Sequence, residues 1–235
     1  MPTFTTWIAR AAALVLAGLL LAGCGSKEPE QRAAFIQFLQ TRVIDRPGVR
    51  VPQPTDEQKK PFGDYAQHYA VITDFNTAMN QAAQQLDGFI SKGSLRSLSD
   101  VVARRDDLRG VREGVQQMRK ALDENVAKAD AARAQLQQPE DLKAVFDKAY
   151  DKTVTAPAAI FREVFPALDA VFDGAIRIGD YVEAHRSQIQ ISGSTFTVSD
   201  PKVLQELNGM LQALNSHAGA ISTAQRRMRT TMTGS

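Results

Sequence analysis

The sequence predicts an all-α protein, an antiparallel bundle of about five long helices with one small β-hairpin near residues 189–198. Two observations support this prediction. Apolar residues recur at three- and four-residue steps through most of the chain, which places them on one face of a helix. Alternation with a period of two is confined to two short runs around Ser192-Gly193-Ser194-Thr195, a hairpin pattern. No repeat of fixed period joins the helices, so a bundle is favoured over a solenoid.

The first residues have the features of a secretory signal peptide. Met1–Arg10 carries one basic side chain, and Ala11–Leu21 is apolar and uncharged. This apolar run is too short for a membrane span, which takes roughly 20 residues. The sequence therefore divides into a signal peptide at 1–23, a tether at 24–29 and a helical domain at 30–235.

The only cysteine of the chain, Cys24, follows Leu21-Ala22-Gly23. This motif resembles the lipobox of bacterial lipoproteins. The resemblance implies cleavage before Cys24, a diacylglycerol on its sulfur and an acylated amino terminus, typically carrying palmitate. It also implies attachment to the outer membrane, facing the periplasm, because Gly25 rather than aspartate follows the cysteine. An unmodified thiol is the alternative.

Composition restricts the possible functions. The chain has 28 basic and 26 acidic residues, and the predicted signal peptide removes one basic residue. This near-neutral balance argues against a nucleic-acid-binding protein, which would present a basic face. With Cys24 acylated, no thiol is left for a disulfide, a redox pair or a thiolate metal site.

The helical pattern starts at Glu30 and ends at Asp45-Arg46-Pro47-Gly48. Thr55 and Gln58 have the spacing of a capping box, and Pro61 is expected to restart or kink the helix that follows. The next run, to Ile90, has heptad spacing with Asn76 as its one polar member.

A third helix is predicted to open near Ser97, with one apolar and one highly charged face. Pro139 is expected at the first position of the next helix. We expect a helix break at Pro157 and a kink at Pro166. Asp200 and Pro201 start the last helix, which has the most regular heptads of the chain: Leu204, Leu207, Leu211, Leu214, Ala218, Ile221 and Met228.

Few residues suggest chemistry. The histidines His68, His185 and His217 are scattered, and surface or capping roles are favoured over catalysis. Two pairs of aspartates four residues apart could hold a hard cation, although solvated helix faces have the same pattern: Asp169 with Asp173, and Asp147 with Asp151. No phosphate loop, nucleophile elbow or zinc motif occurs. We therefore predict no catalytic residue, no metal ligand and no cofactor beyond the covalent lipid.

Two side-chain groups suggest binding. Phe161, Phe165 and Phe172 could line a groove for an acyl chain or a partner, although core packing is the favoured interpretation. A basic cluster near the C-terminus could meet anionic lipid, lipopolysaccharide or cell wall: Arg226, Arg227 and Arg229. A solvated helix end, stabilised by the helix dipole, explains this cluster equally simply.

Several short stretches resemble the YiaF-type lipoproteins, a family whose domain has no assigned function. They are Gln31-Arg32-Ala33-Ala34-Phe35-Ile36, Phe38-Leu39-Gln40, Gln58-Lys59-Lys60, Phe62-Gly63, Asp141-Leu142-Lys143, Val145-Phe146-Asp147, Thr155-Ala156-Pro157-Ala158 and Gly179-Asp180-Tyr181. The resemblance implies a mainly helical envelope lipoprotein and supplies no catalytic residues. We therefore expect a membrane-anchored, non-enzymatic binding or structural module with an envelope protein as partner. The alternatives are an accessory factor or enzyme acting on cell wall or lipid, and a carrier of apolar ligands.

Overall fold

The computed structural model describes residues 27–90, 97–193 and 195–234. Its elements are α1 (Glu28–Phe38), α2 (Asp56–Lys59), α3 (Tyr65–Ile90), α4 (Leu98–Ala103), α5 (Arg105–Ala134), α6 (Glu140–Tyr150), α7 (Ala156–Ala184), β1 (Ile189–Ser192), β2 (Thr195–Val198) and α8 (Pro201–Thr233). The predicted fold class is confirmed. The predicted signal peptide, with Cys24 and the residues up to 26, lies outside the described part of the chain.

Among the described residues, no helix has both the length and the apolar character needed to cross a bilayer. The long helices pack against their neighbours in antiparallel fashion. On α5 and α7, Arg112 faces Asp173 and Arg119 faces Asp169, so residue numbers rise along one helix as they fall along the other. Helix α8 then runs back along α7, where Tyr181 Oη donates a hydrogen bond to Glu206.

The described residues form two hydrophobic cores, and the first of them lies beneath α1. Phe35, Leu39 and Val43 are completely buried there, the last two in a π-helical extension of α1 at Leu39–Ile44. The Phe35 ring lies 5.5 Å from that of Phe62 and 6.2 Å from that of Tyr65, measured between centroids. Residues of α3, α5, α6 and the start of α7 complete this first core.

The second core joins α4, the start of α5, the end of α7, the hairpin and the start of α8. Its most buried members are Ile178 and Leu207, and Ile189 of the hairpin packs among them. Phe172 contacts both cores. The hairpin is antiparallel, with Ile191 opposite Phe196 and Gly193 in the left-handed conformation at its turn.

Several predicted helix boundaries are confirmed. Thr55 and Gln58 form the capping box at α2, Ser97 caps α4, and Asp200 caps α8 by accepting from the amides of Lys202 and Val203. Helix α1 begins at Glu28, two residues before its predicted start. Pro139 occupies the N-cap of α6, one position before the predicted one.

Two predictions about prolines have different outcomes. The break expected at Pro157 is wrong, because a π-helical turn, Asp151–Thr155, carries α6 directly into α7. Pro157 is the second residue of α7, and the π-helical turn directly before it accommodates the proline. Pro166 lies inside α7, and the kink expected there stays a prediction.

The predicted apolar face of α3 needs one correction. Phe75 is buried in the first core, whereas Asn76, the predicted polar member of the face, is only half-buried. The side chains of Ala83, Leu86 and Ile90 in α3 and of Ala218 in α8 lie outside the described part.

Candidate functional site

Four arginines of α5 bind three aspartates of α7, and we call this contact the arginine–aspartate ladder. Arg109 Nη2 lies 2.8 Å from Asp180 Oδ1, and Arg105 Nε approaches the same oxygen to 3.3 Å. The other rungs are Arg112 with Asp173 at 2.9 Å and Arg119 with Asp169 at 2.5 Å. Asp169 and Asp173, which the sequence suggested as cation ligands, are therefore ion-paired with the neighbouring helix.

The second aspartate pair also has partners in the chain. Asp147 Oδ1 lies 2.7 Å from Arg133 Nη2, and Asp147 Oδ2 lies 2.7 Å from Lys143 Nζ. Burial acts to raise the pKa of Asp147, but the hydrogen bonds from Lys143 and Arg133 outweigh burial and lower it below its usual value. Asp151 accepts from the Thr155 hydroxyl at 3.2 Å. The described residues contain no group of three His, Cys, Asp or Glu side chains that could hold a metal ion.

The three histidines belong to three different helices, α3, the C-cap of α7 and α8. His68 Nδ1 is 3.0 Å from Gln138 Nε2, and burial lowers the pKa of its imidazole. His185 caps the end of α7, with Nδ1 2.9 Å from the carbonyl of Tyr181. His217 is exposed on α8. These positions fit the capping and surface roles that the sequence favoured.

The start of the domain is fixed to α3 through tyrosine. Tyr65 Oη donates a hydrogen bond to Glu28 at the first position of α1. Burial, reinforced by this bond, raises the pKa of Tyr65 to about 12. One turn later, Tyr69 Oη donates to the carbonyl of Pro52 at 3.0 Å, and burial raises the pKa of its phenol as well.

The phenylalanines of α7 pack in the interior. Phe165 is 3% exposed, while Phe161 and Phe172 are partly buried against the first core. The Arg119 guanidinium lies 5.2 Å from the centre of the Phe165 ring. The structure thus shows the core packing that the sequence favoured for these rings.

The C-terminal basic cluster lies exposed near the end of α8. Arg227 Nη1 donates to Glu163 Oε2 at 2.6 Å, whereas Arg226 Nη2 donates to the Thr223 hydroxyl at 3.4 Å. The last turn of α8 meets the loop after α1, where Val49 N donates to the Met232 carbonyl at 3.1 Å. Gly48, with φ +67°, is required at this contact, because a Cβ there would lie 2.3 Å from the Met232 oxygen.

This junction forms one wall of an open groove of about 730 Å³, which we call the basic groove. Its charged lining consists of Arg42, Arg46 and Arg50, and Asn76 and Asn80 of α3 contribute amides. The sequence patterns described above did not predict this site. The four-residue spacing of the three arginines is visible in the sequence and could have indicated the site. The sequence does not show that the end of α8 lies next to them.

Comparisons with known proteins bear on the family. A family model described as "Protein of unknown function (DUF3053)" matches residues 11–229. The chain is 32% identical over 220 residues to "Uncharacterized protein YiaF" of Escherichia coli strain K12, an alignment that covers 93% of this chain and 92% of the relative. The Shigella flexneri protein of the same name matches with the same identity and coverage. No solved structure matches significantly. The resemblance to YiaF-type proteins is confirmed, and the chain belongs to the DUF3053 family of proteins of unknown function.

Proposed function

We propose that this protein is a lipid-anchored protein of the bacterial envelope whose helical domain is a non-enzymatic binding or structural module. The observation that carries the proposal is the position of α1, which begins at Glu28, four residues after Cys24. Four extended residues reach only about 14 Å. A lipid on Cys24 would therefore hold the domain close to the membrane surface.

The chemistry of Cys24 supports a permanent attachment. A single acyl chain gives only marginal, reversible binding, and stable anchoring takes a second hydrophobic or electrostatic contribution. The diacylglycerol and amide-linked chain of a bacterial lipoprotein supply this without any further contact. Gly25 after the cysteine supports the outer membrane, with the domain in the periplasm.

The ion pairs of the domain support a binding role over catalysis. A hydrolytic mechanism on cell wall or lipid needs an acid or base within hydrogen-bonding reach of its substrate. Asp169 and Asp173, the carboxylates that the sequence suggested for chemistry, are instead ion-paired with Arg119 and Arg112.

Metabolic labelling tests the anchor directly. The full chain is produced in a Gram-negative host supplied with radiolabelled palmitate, alongside Cys24→Ala and, as a matched control, Ser26→Ala. We expect label and membrane association for the wild type and Ser26→Ala, and neither label nor stable association for Cys24→Ala. Equal labelling of Cys24→Ala would refute the proposal.

Density-gradient separation of the two membranes tests the location. We expect the wild type in the outer-membrane fraction and Gly25→Asp in the inner-membrane fraction. Wild-type protein in the inner membrane would contradict the proposed location while leaving the anchor intact.

Crosslinking in intact envelopes tests the binding role. A reproducible crosslinked partner from wild-type protein supports it. Repeated failure to recover any specific partner counts against it.

A further inference from the structure

The basic groove differs from the rest of the surface in how its arginines are paired. Most described arginines lie within ion-pair distance of a carboxylate. Those without such a contact among the described residues are Arg42, Arg46, Arg50, Arg177, Arg226 and Arg229. All except Arg177 belong to the two chain segments that meet at the groove, so the arginines without an ion pair among the described residues are concentrated there.

Arg42 and Arg50 are not needed to bind the backbone carbonyls at the end of the first helical segment, Glu28–Ile44. Lys152 Nζ donates to the carbonyl of Ile44 at 2.7 Å and also to that of Arg46. Arg46 adds one bond of its own, from Nε to the carbonyl of Thr41 at 3.1 Å. Because Lys152 satisfies these carbonyls, the guanidinium groups of Arg42 and Arg50 remain available to a ligand.

The chemistry of the lining selects an anion. Guanidinium groups bind phosphate and carboxylate oxygens through paired, charge-assisted hydrogen bonds, and amide groups add neutral donors. In the part of the chain that the structure describes, no carboxylate lines the groove to oppose an anion. Its volume of about 730 Å³ lies within the range of small-molecule sites.

The lining is also partly apolar, which narrows the class of ligand. Val49, Val51 and two prolines line the groove together with the arginines, and Met232 in the same lining is 38% exposed. A basic surface interleaved with apolar side chains suits a ligand that has an anionic head and an apolar body.

We propose that the basic groove binds the phosphate of an anionic phospholipid headgroup. The groove lies at one end of the helical segment Glu28–Ile44, which spans about 25 Å, and Glu28, four residues after Cys24, lies at the other end. With this segment parallel to the bilayer, the anchor and the groove contact the same membrane surface. The choice of a lipid rests on the membrane location of the proposed function, whereas the groove's affinity for anions does not.

Calorimetric titration of the full chain in nonionic detergent tests the proposal. The probes are short-chain dihexanoyl phosphatidylglycerol, its zwitterionic phosphatidylcholine counterpart and inorganic phosphate. The test variant is Arg42→Gln/Arg46→Gln/Arg50→Gln. The matched control, Lys148→Gln/Arg177→Gln/Lys202→Gln, removes the same charge from exposed residues that lie outside the groove and have no ion pair among the described residues. Circular dichroism confirms that both variants remain helical.

We expect phosphatidylglycerol to bind the wild type and the control equally, and the groove variant about a hundredfold more weakly. Phosphatidylcholine should bind the wild type, the control and the groove variant much more weakly than phosphatidylglycerol binds the wild type. A second variant, Asn76→Ala/Asn80→Ala, should weaken phosphatidylglycerol binding without any change of charge, which distinguishes a site from general attraction.

Equal weakening in the groove and control variants would overturn the proposal, because it would reflect net charge alone. Inorganic phosphate binding as tightly as phosphatidylglycerol would overturn the assignment of a lipid. The protein could bind phosphatidylglycerol through the groove and yet take up no palmitate. That result would refute the proposed anchor but would support the proposed groove site. Palmitate labelling without groove-dependent binding of phosphatidylglycerol would support the anchor and refute the groove site.

Discussion

The first and last helices of the domain, α1 and α8, differ in how their sequence patterns relate to burial. Helix α8 has the most regular heptads of the chain, yet its predicted face member Leu204 is 38% exposed and Leu211 is only half-buried. Helix α1 has a shorter and less regular pattern, yet Phe35 and Leu39 are completely inaccessible to solvent.

The difference follows from the number of neighbours that each helix has. Helix α1 lies against α3, α6 and the aromatic ring of Phe62, so apolar groups surround its inner face. Helix α8 packs mainly along α7, and among its described side chains only Val203 and Leu207 are buried in the second core, while Met210, Leu211 and Leu214 pack against that core partly exposed. Heptad spacing predicts a helix with one apolar face, but the depth of burial depends on how many elements cover that face.

The largest effect should come from the first core. Phe35→Ala removes a ring that is completely buried among four aromatic neighbours. We expect it to lower the free energy of unfolding by about 3–5 kcal/mol, measured by urea denaturation. A loss below about 1 kcal/mol would show that the first core is less completely packed than the structure indicates.

The contact between α1 and α3 should depend on pH through Tyr65. Burial and the bond to Glu28 raise the pKa of Tyr65 from 10.0 to about 12, so the fold favours the protonated phenol. This stabilisation is present in full below pH 10 and is lost as the pH rises towards 12. Urea unfolding from pH 9 to 12 should therefore show a steeper loss of stability for the wild type than for Tyr65→Phe. Identical pH profiles would contradict the assignment, since the other tyrosines are common to both proteins.

The arginine–aspartate ladder should contribute less, because its groups are partly exposed. Asp180→Asn removes the partner of both Arg105 and Arg109, and we expect a loss of about 0.5–1 kcal/mol that shrinks in high salt. Asp106→Asn is the matched control, because Asp106 pairs with the same Arg109 but its side chain is 88% exposed. An equal loss in both variants would show that the contact between α5 and α7 has no special role.

The smallest effect is expected on the regular face of α8. Leu204→Ala should change the free energy of unfolding by less than about 0.5 kcal/mol, because this side chain is already exposed. A loss similar to that of Phe35→Ala in the same urea assay would mean that something covers α8 in solution and would remove the contrast with α1.

The elements most accurately predicted from the sequence depend on short-range interactions. Thr55 with Gln58 and Asp200 with Val203 form their capping bonds within three residues, so both caps can be recognised without knowledge of the fold. The hairpin at 189–198 is similarly local. Pro157 is the exception, because a π-helical turn accommodates it and spacing alone did not predict that turn.

The candidate sites were harder to predict, because they depend on contacts between distant segments. The charged face of α5 was visible in the sequence, but only the antiparallel packing on α7 shows that its arginines bind Asp169, Asp173 and Asp180. Arg42 and Arg50 likewise could not be recognised as part of a site from the sequence. Met232, from the other end of the chain, lines the same groove, and only the fold shows this.

The sequence alone determined the helical class, the caps, the hairpin and the family, because each depends on neighbouring residues or on overall similarity. Only the tertiary structure determined which apolar side chains are buried, which charges are paired and which remain available to a ligand. The physical reason is that burial and ion pairing depend on distances between residues far apart in the chain. The packing of the helices sets those distances, and residue spacing within one helix does not.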